Sequence, residues 1–183
     1  MNTRPLLDFD MISEFSLEMF NELVEGLQNR YKAWDGVNQF KGTSRRLLDM
    51  YEELCWLPEK IKRELDEETR LFEDGYEETV HVTGIEVPSL CPHHLLPCMF
   101  TVDILHIPQG RVLGLSKFAR IAMILGKRPI LQEMYTRELV NELWERTNPK
   151  GVKVRVVGVH ACMTFRGPRQ KSEVETVQQR GEI

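Results

Sequence analysis

The sequence predicts an α+β fold, in which helices are segregated from an antiparallel sheet. Three observations indicate this class. Apolar residues in the first third of the chain recur at helical spacing, the period changes to strand-like alternation after Asp74-Gly75, and the order beyond that point is strand–strand–helix–helix–strand. We therefore expect a helical N-terminal extension over residues 1–74 and an α+β domain over residues 75–183.

The N-terminal extension is predicted to contain two helical regions. The first covers residues 11–33, and its apolar face consists of Met11, Phe15, Phe20, Leu23, Val24 and Leu27. The second runs from about Thr43, a candidate N-cap, to about Leu71, and Pro58 is expected to break or bend it. The charge-rich stretch over residues 59–74 is expected to be a solvated face.

The α+β domain holds the remaining predicted elements. Ser116 is the candidate N-cap of its first helix, and Pro129 suits the first turn of its second helix. In chain order the elements are strands over 80–88 and 100–107, helices over 116–126 and 129–148, and a strand over 152–159. A sheet of these strands would leave edges exposed, and assembly into a ring is one way to cover them.

Composition disfavours several classes of function. With 24 Lys and Arg against 28 Asp and Glu, the net charge of −4 is unsuited to non-specific nucleic-acid binding. No apolar run reaches the length of a membrane span, and the N-terminus does not resemble a signal peptide, so we expect a cytoplasmic protein. In that reducing compartment, we expect Cys55 and Cys98 to be small buried hydrophobes, and the other two cysteines to be ligands.

The most informative motif is Cys91-Pro-His93-His94 together with His160-Ala-Cys162. The C-x2-H spacing is common where a turn offers two ligands to one ion, and residues two apart in extended chain point to one face. Two thiolates and an imidazole suit a zinc-like ion and leave a coordination position open for water, which favours metal-assisted hydrolysis. The two remaining histidines would be free for proton transfer. The competing interpretation is a buried cysteine next to surface histidines.

Two further groups of residues suit a nucleotide. Lys117 and Arg120 lie in the first predicted turn of a helix, where free N–H groups and the helix dipole attract phosphate, and Arg166 follows the metal motif. Gln132-Glu133 lies just inside the next helix, and one carboxylate can accept two N–H bonds from a guanine edge. Taken separately, the cations could be solvated and Glu133 could be a helix-dipole partner.

These groups occur in the order found in a known family. Several segments strongly resemble those of GTP cyclohydrolase I. They are Ser89–His94, Ile107-Pro, Gly114–Ile121, Arg128-Pro, Gln132-Glu133, Gly151-Val and Val159–Gly167, with Thr43–Tyr51 upstream. The resemblance implies a tunnelling fold, in which an antiparallel sheet carries two antiparallel helices on one face. It also implies a homo-oligomeric ring, usually a decamer of two stacked pentamers, with active sites at subunit interfaces.

The resemblance also assigns a role to each motif. Residues 75–183 would be the catalytic domain, which opens the imidazole ring of GTP, releases formate and forms 7,8-dihydroneopterin triphosphate. The implied zinc ligands are Cys91, His94 and Cys162, and the implied proton-transfer residues are His160 and, assisting it, His93. The implied substrate contacts are Glu133 and Gln132 at guanine, Ser116, Lys117, Arg120 and Arg166 at the ribose and triphosphate, and Arg46 from a neighbouring subunit.

The chain departs from the family pattern at several positions. Pro92 replaces a usual acidic residue, Asp49 a usual lysine and Phe100 a usual glycine at a turn, and the tail after Arg169 lacks the usual run of Ser and Thr. Because the metal and histidine pattern is intact, we expect the departures to affect substrate affinity and not the chemistry. Two alternatives stay open: a related tunnelling-fold enzyme that acts on another purine or pterin, and a non-catalytic zinc-binding scaffold.

Overall fold

A computed structural model describes residues 9–31, 39–73 and 75–183 of the chain, with side chains from Leu17 onward. The described residues form two compact units, one that ends at Glu53 and one that runs from Leu54 to Ile183. The catalytic-domain boundary after residue 74 stays a prediction. Among the described helices, none combines the length and the apolar character that a membrane crossing needs.

The first unit contains two helices, α1 (Phe9–Tyr31) and α2 (Thr43–Leu54). Both were expected from the helical spacing of apolar residues, because such spacing places them along one side of a helix. Val24 on the predicted apolar face of α1 is buried. The side chains of Met11 and Phe15, which belong to the same predicted face, lie outside the described part of the chain.

Helix α3 (Pro58–Glu68) opens the second unit. Pro58 starts this helix because its fixed φ suits a first turn and its missing N–H is not needed there, so the expected break at Pro58 is confirmed. Ile61 and Leu65 are buried on the inner side of the helix. The charged residues between them keep the other side in solvent.

The second unit is built on a four-stranded antiparallel sheet. Its strands, in chain order, are β2 (Val80–Leu90), β3 (Pro97–Ile107), β5 (Gly151–His160) and β6 (Glu173–Gly181), and they are also adjacent in this order. A separate two-stranded sheet pairs β1 (Leu71–Glu73) with β4 (Arg111–Leu113). The predicted strands are confirmed, whereas β6 and the two short strands were not predicted.

Two helices, α4 (Leu115–Leu125) and α5 (Gln132–Thr147), pack on one face of the sheet. Alternate residues of β3 are buried under them, because successive side chains of a strand point to opposite faces. The largest members of this core include Phe100, Phe118 and Tyr135. The predicted α+β class, with an antiparallel sheet and two helices on one face, is confirmed.

The starts of both helices differ from the predictions. Helix α4 already begins at Leu115 after Gly114, whose carbonyl accepts a 2.8 Å hydrogen bond from the Lys117 N–H. Ser116 therefore lies inside the first turn and is not the N-cap. Pro129 precedes helix α5 and forms an isolated bridge with the end of strand β2, so its predicted place in the first turn is also wrong.

Candidate metal centre and active site

The turn between β2 and β3 carries the first half of the predicted metal motif. The Cys91 N–H donates to the Leu96 carbonyl at 2.9 Å, and the Leu95 N–H donates to the Cys91 carbonyl at 2.8 Å. Leu95 has a φ of 52°, in the left-handed region, which lets the chain reverse tightly. This turn holds Cys91 Sγ and His94 Nδ1 3.6 Å apart, as the C-x2-H spacing predicted.

The second half of the motif lies where β5 ends. His160 is the last residue of the strand, and Cys162 lies in the four-residue helix α6 (Ala161–Thr164). The predicted extended geometry is therefore wrong at Cys162, because the Thr164 hydroxyl and the Phe165 N–H donate to the carbonyls of His160 and Ala161 and close a helical turn.

The three predicted ligands come together nevertheless. The ligand atoms of Cys91, His94 and Cys162 all lie within 4.8 Å of one another. In a tetrahedral zinc site, Zn–S of about 2.3 Å and Zn–N of about 2.0–2.1 Å place sulfur and nitrogen roughly 3.6 Å apart. The 3.6 Å between Cys91 Sγ and His94 Nδ1 matches this separation, so the residues fit a zinc ion.

Arg166 contacts the Cys–His–Cys cluster from its exposed side. Its Nη1 donates a 2.6 Å hydrogen bond to His94 Nε2. Because a guanidinium can only donate, Nε2 carries the lone pair, and the proton of the neutral ring is on Nδ1. An ion that binds at Nδ1 would leave the proton on Nε2. Arg166 would then have to turn away from His94, which frees it for another anion or acceptor.

His160 is held between two side chains. Its Nε2 lies 2.8 Å from Gln132 Oε1, and its Nδ1 lies 3.1 Å from Cys98 Sγ. Burial lowers the pKa of His160, while the charge of Glu133 opposes that shift. Burial also raises the pKa of the Cys98 thiol to about 12, so this residue is a thiol and not a thiolate.

Cys98 is buried as predicted, but its contact with His160 was missed by the sequence analysis. Phe100 lies two residues further along β3 and is buried within the strand, in agreement with the predicted strand over 100–107 and unlike the turn glycine that is usual in the family. Its ring centroid is 5.9 Å from that of His160. Strand alternation puts Cys98 and Phe100 on one face of the sheet. That alternation indicates that the two residues have neighbours in common, but it does not identify His160 as one of them.

A pocket of about 190 Å³ lies against the metal cluster. Six predicted site residues line it, namely Cys91, His93, Gln132, Glu133, His160 and Cys162. Pro92 also lines the pocket, where the family usually has an acidic side chain. The structure therefore brings two of the three predicted ligands, both predicted proton-transfer residues and both predicted guanine contacts to one concave surface, which is the usual form of a small-molecule site.

The residues of α4 that were predicted to contact phosphate do not line this pocket. Lys117 and Arg120 share the face that their spacing predicted, and both donate to Glu68 of α3, with Arg120 Nη1 2.8 Å from Glu68 Oε1. These hydrogen bonds, from Lys117 first and Arg120 second, lower the pKa of Glu68. Ser116 is exposed. Glu68 belongs to the stretch that was expected to be merely solvated, so its pairing was missed.

Arg46 and Asp49 lie on α2 in the first unit. Arg46 Nη2 donates to the hydroxyl of Thr43 at 2.9 Å. Asp49, which stands where many family members have a lysine, accepts a 2.8 Å hydrogen bond from Arg45 Nε. This exposed ion pair one turn apart stabilises the helix only slightly. The substrate contact predicted for Arg46 stays a prediction.

The fold and this pocket together define a class of protein. The antiparallel sheet with two helices on one face, and the pocket beside a Cys–His–Cys cluster that histidine and glutamate also line, are the arrangement that the resemblance to a tunnelling-fold enzyme implied. A sequence profile described as GTP cyclohydrolase I matches residues 18–183. The chain belongs to the GTP cyclohydrolase I family and is an enzyme of that family.

Individual relatives agree with the profile. The GTP cyclohydrolase 1 of Pelotomaculum thermopropionicum is 41% identical over 132 residues, which cover 71% of this chain and 69% of that protein. The GTP cyclohydrolase 1 of Streptococcus pyogenes is 42% identical over 126 residues, which cover 68% of this chain and 64% of that protein. These matches show the similarity of the sequences independently of the site geometry.

Solved structures were also compared with the fold. The apo archaeosine synthase QueF-Like aligns with a TM-score of 0.48 and 26% identity, over 57% of this chain and 95% of that chain. The E. coli dihydroneopterin aldolase in complex with neopterin aligns with a TM-score of 0.45 and 17% identity, over 57% of this chain and 99% of that chain.

Proposed function

We propose that the chain catalyses the GTP cyclohydrolase I reaction. In this reaction the imidazole ring of GTP is opened by hydrolysis, C8 leaves as formate, and the remainder rearranges to 7,8-dihydroneopterin triphosphate. The observation that carries the proposal is the convergence of the Cys–His–Cys cluster, His160 and Glu133 on one pocket. Membership of the family supports GTP as the substrate.

Cys91, His94 and Cys162 would hold the zinc ion. When bound there, zinc supplies a Lewis acid and lowers the pKa of water, so that a nucleophile is available at neutral pH. Among the residues that the structure describes, three ligands meet at this cluster, one fewer than closed structural zinc sites usually have. This ligand count favours the enzyme over the alternative of a non-catalytic zinc scaffold.

His160 is the proposed proton donor and acceptor at the purine ring. Its Nε2 lies at the pocket wall that Gln132 forms, and burial lowers the pKa of the ring. An imidazole can accept a proton in one step and return it as the imidazolium in the next, which is what two successive hydrolytic steps require. His93 lines the same pocket and would assist.

Glu133 is the proposed anchor of the guanine. It follows Gln132 at the first turn of α5, is exposed, and lines the pocket, so its carboxylate is accessible to a ligand. A carboxylate there can accept two N–H bonds from the guanine edge. A related purine or pterin could be bound in the same way, so the identity of the heterocycle rests on the family and on the phosphate contacts.

The proposed ribose and triphosphate contacts are Ser116, Lys117, Arg120, Arg166 and, from a neighbouring subunit, Arg46. The cations of α4 do not line the described pocket of their own chain. This supports an active site completed by neighbouring copies in a ring-shaped homo-oligomer, for which we propose a decamer. Nucleic-acid and membrane partners are not proposed, and the cytoplasmic location stays a prediction.

Formate release from GTP tests this proposal. We expect the purified full chain to release formate, and His160→Ala to lose that activity while it retains zinc. Loss of zinc together with activity in His160→Ala would leave the role of this residue in chemistry unsupported. If none of the tested substrates yields formate, the non-catalytic scaffold is favoured. Turnover of another purine or a pterin in place of GTP would favour the related enzyme.

A further inference from the structure

The thiol of Cys98 contacts His160 on the side of the ring opposite Gln132. The two residues are directly paired in the register of β3 and β5, so their side chains stand next to each other on the same face of the sheet. Cys98 is only 2% exposed, and its Sγ lies 3.1 Å from His160 Nδ1. The contact is therefore shielded from water.

The orientation of the Gln132 amide determines which ring nitrogen of His160 carries the proton. Gln132 Nε2 lies 2.7 Å from the Val174 carbonyl and 3.1 Å from the Val156 carbonyl. Because carbonyl oxygens can only accept, the amide nitrogen must face them and the amide oxygen must face His160. That oxygen is also only an acceptor, so the proton of a neutral ring is on Nε2.

A neutral ring with its proton on Nε2 has a lone pair on Nδ1, and Cys98 is the side chain placed to donate to it. We propose that Cys98 is a positioning residue for His160: its S–H donates to Nδ1 and, with Gln132, fixes the plane and the tautomer of the ring. This inference rests on the proposed role of His160 in proton transfer. The proton of the neutral ring is then held on the nitrogen at the Gln132 side of the ring.

The packing around the ring supports this role. A Cβ atom at Gly158 would lie 2.1 Å from Gln132 Oε1 and 3.0 Å from His160 Nε2, so a glycine is required for the amide and the ring to meet there. The Phe100 ring borders the imidazole, with the two ring centroids 5.9 Å apart. The ring is therefore bounded by side chains as well as bonded at both nitrogens.

Kinetics of three variants separate the hydrogen bond from simple packing. Cys98→Ser keeps a donor, Cys98→Ala removes it, and Val102→Ala opens a cavity at another fully buried position of β3. We expect Cys98→Ala to lower kcat by roughly fivefold with KM for GTP unchanged, and Cys98→Ser to restore most of the loss. Val102→Ala should lower the melting temperature and leave kcat unchanged. Equal kcat values for Cys98→Ser and Cys98→Ala would overturn the proposal.

A spectroscopic measurement tests the contact without any turnover. In the full chain labelled with ¹⁵N-histidine, the His160 signals are identified by their loss in His160→Gln. We expect an unprotonated Nδ1 whose resonance moves to higher frequency in Cys98→Ala and returns in Cys98→Ser. A protonated Nδ1 in the wild type, or one resonance in all three proteins, would contradict the proposal. If the wild type releases no formate, the proposed function fails, but these resonances still decide the contact.

Discussion

Gln132 Oε1 lies 2.8 Å from His160 Nε2, and the same amide donates through its nitrogen to two backbone carbonyls. Gln132 is only 2% exposed although it stands at the first residue of α5. One buried side chain therefore joins the start of a helix, the carbonyls of two neighbouring strands and the proposed proton-transfer residue. The site and the core share this residue, so its replacement affects both.

Gln132→Glu is expected to destabilise the fold. The substitution replaces an N–H donor by an acceptor in front of the Val156 and Val174 carbonyls, and it leaves a buried carboxyl group without those partners. We expect the free energy of unfolding to fall by about 3 kcal/mol, measured by denaturant titration. Glu133→Gln, at the exposed neighbouring position, is the control for stability and should change it little. Equal stabilities of the two variants would show that the Gln132 hydrogen bonds are unimportant.

Glu68→Gln is expected to strengthen phosphate binding. Glu68 pairs with both Lys117 and Arg120, so its carboxylate competes with any phosphate for these two cations. Inorganic triphosphate should bind the variant several-fold more tightly, as measured by calorimetry, because only the charge of the competing side chain is removed. Glu67→Gln, an exposed neighbour, makes the same change in net charge. An identical gain in both variants would mean that overall charge and not the specific pairing is responsible.

We expect the free energy of unfolding to decrease as pH is lowered, because His106 is buried in its neutral form. Burial lowers the pKa of this histidine from 6.5 to about 4. Its Nε2 lies 2.8 Å from the Thr147 hydroxyl, which donates to the Leu143 carbonyl and therefore accepts from the ring. His106 binds a proton more readily in the unfolded chain than in the folded one. The contribution of neutral His106 to the free energy of unfolding is therefore complete above about pH 6.5 and is lost as pH falls towards 4. From pH 7 to 5 the loss should be about 2 kcal/mol.

The matched variant for this measurement is His106→Gln, which keeps an N–H donor but does not titrate. The pKa of His160 is also lowered by burial and acts in the same direction, but it is present in both proteins. The difference between the two stability profiles therefore isolates His106. Parallel profiles between pH 7 and 5 would show that His106 does not couple folding to protonation.

Metal content is expected to depend on the three clustered ligands. Cys162→Ala should lose bound zinc and formate release together, because only two of the three ligand atoms remain. Cys55→Ala is the control, since Cys55 is outside this cluster and partly buried. A chelator should abolish the wild-type activity, and added zinc should restore it. Full zinc content in Cys162→Ala, measured by elemental analysis, would remove this residue from the proposed ligand set.

Each half of the metal motif could be predicted because its signal is local, whereas the full ligand set and the pocket residues were implied by the resemblance to the family. The C-x2-H motif lies in a single turn, and His160 and Cys162 flank a single strand end, so sequence spacing reflects distance in space. The contact between Cys98 and His160 joins residues 62 apart and depends on the register of two strands. No local pattern encodes that register, and hydrophobic character alone assigned Cys98 to the core.

Other differences between the sequence predictions and the structure also have physical reasons. Strand β6 was missed because its alternation is weak and most of its residues stay exposed at the edge of the sheet. Ser116 was a plausible cap by residue type, yet the chain already turns at Gly114, so the helix starts earlier. Glu68 looked like part of a solvated run, because only the tertiary packing of α3 on α4 brings it to Lys117.

The proposed reaction removes C8 from the imidazole ring of GTP as formate. Incubation of the purified chain with GTP labelled with ¹³C at C8, followed by ¹³C NMR, follows this carbon atom. We expect ¹³C-formate in an amount equal to the GTP consumed. GTP consumption with the label still in a purine or pterin ring would contradict the proposed reaction.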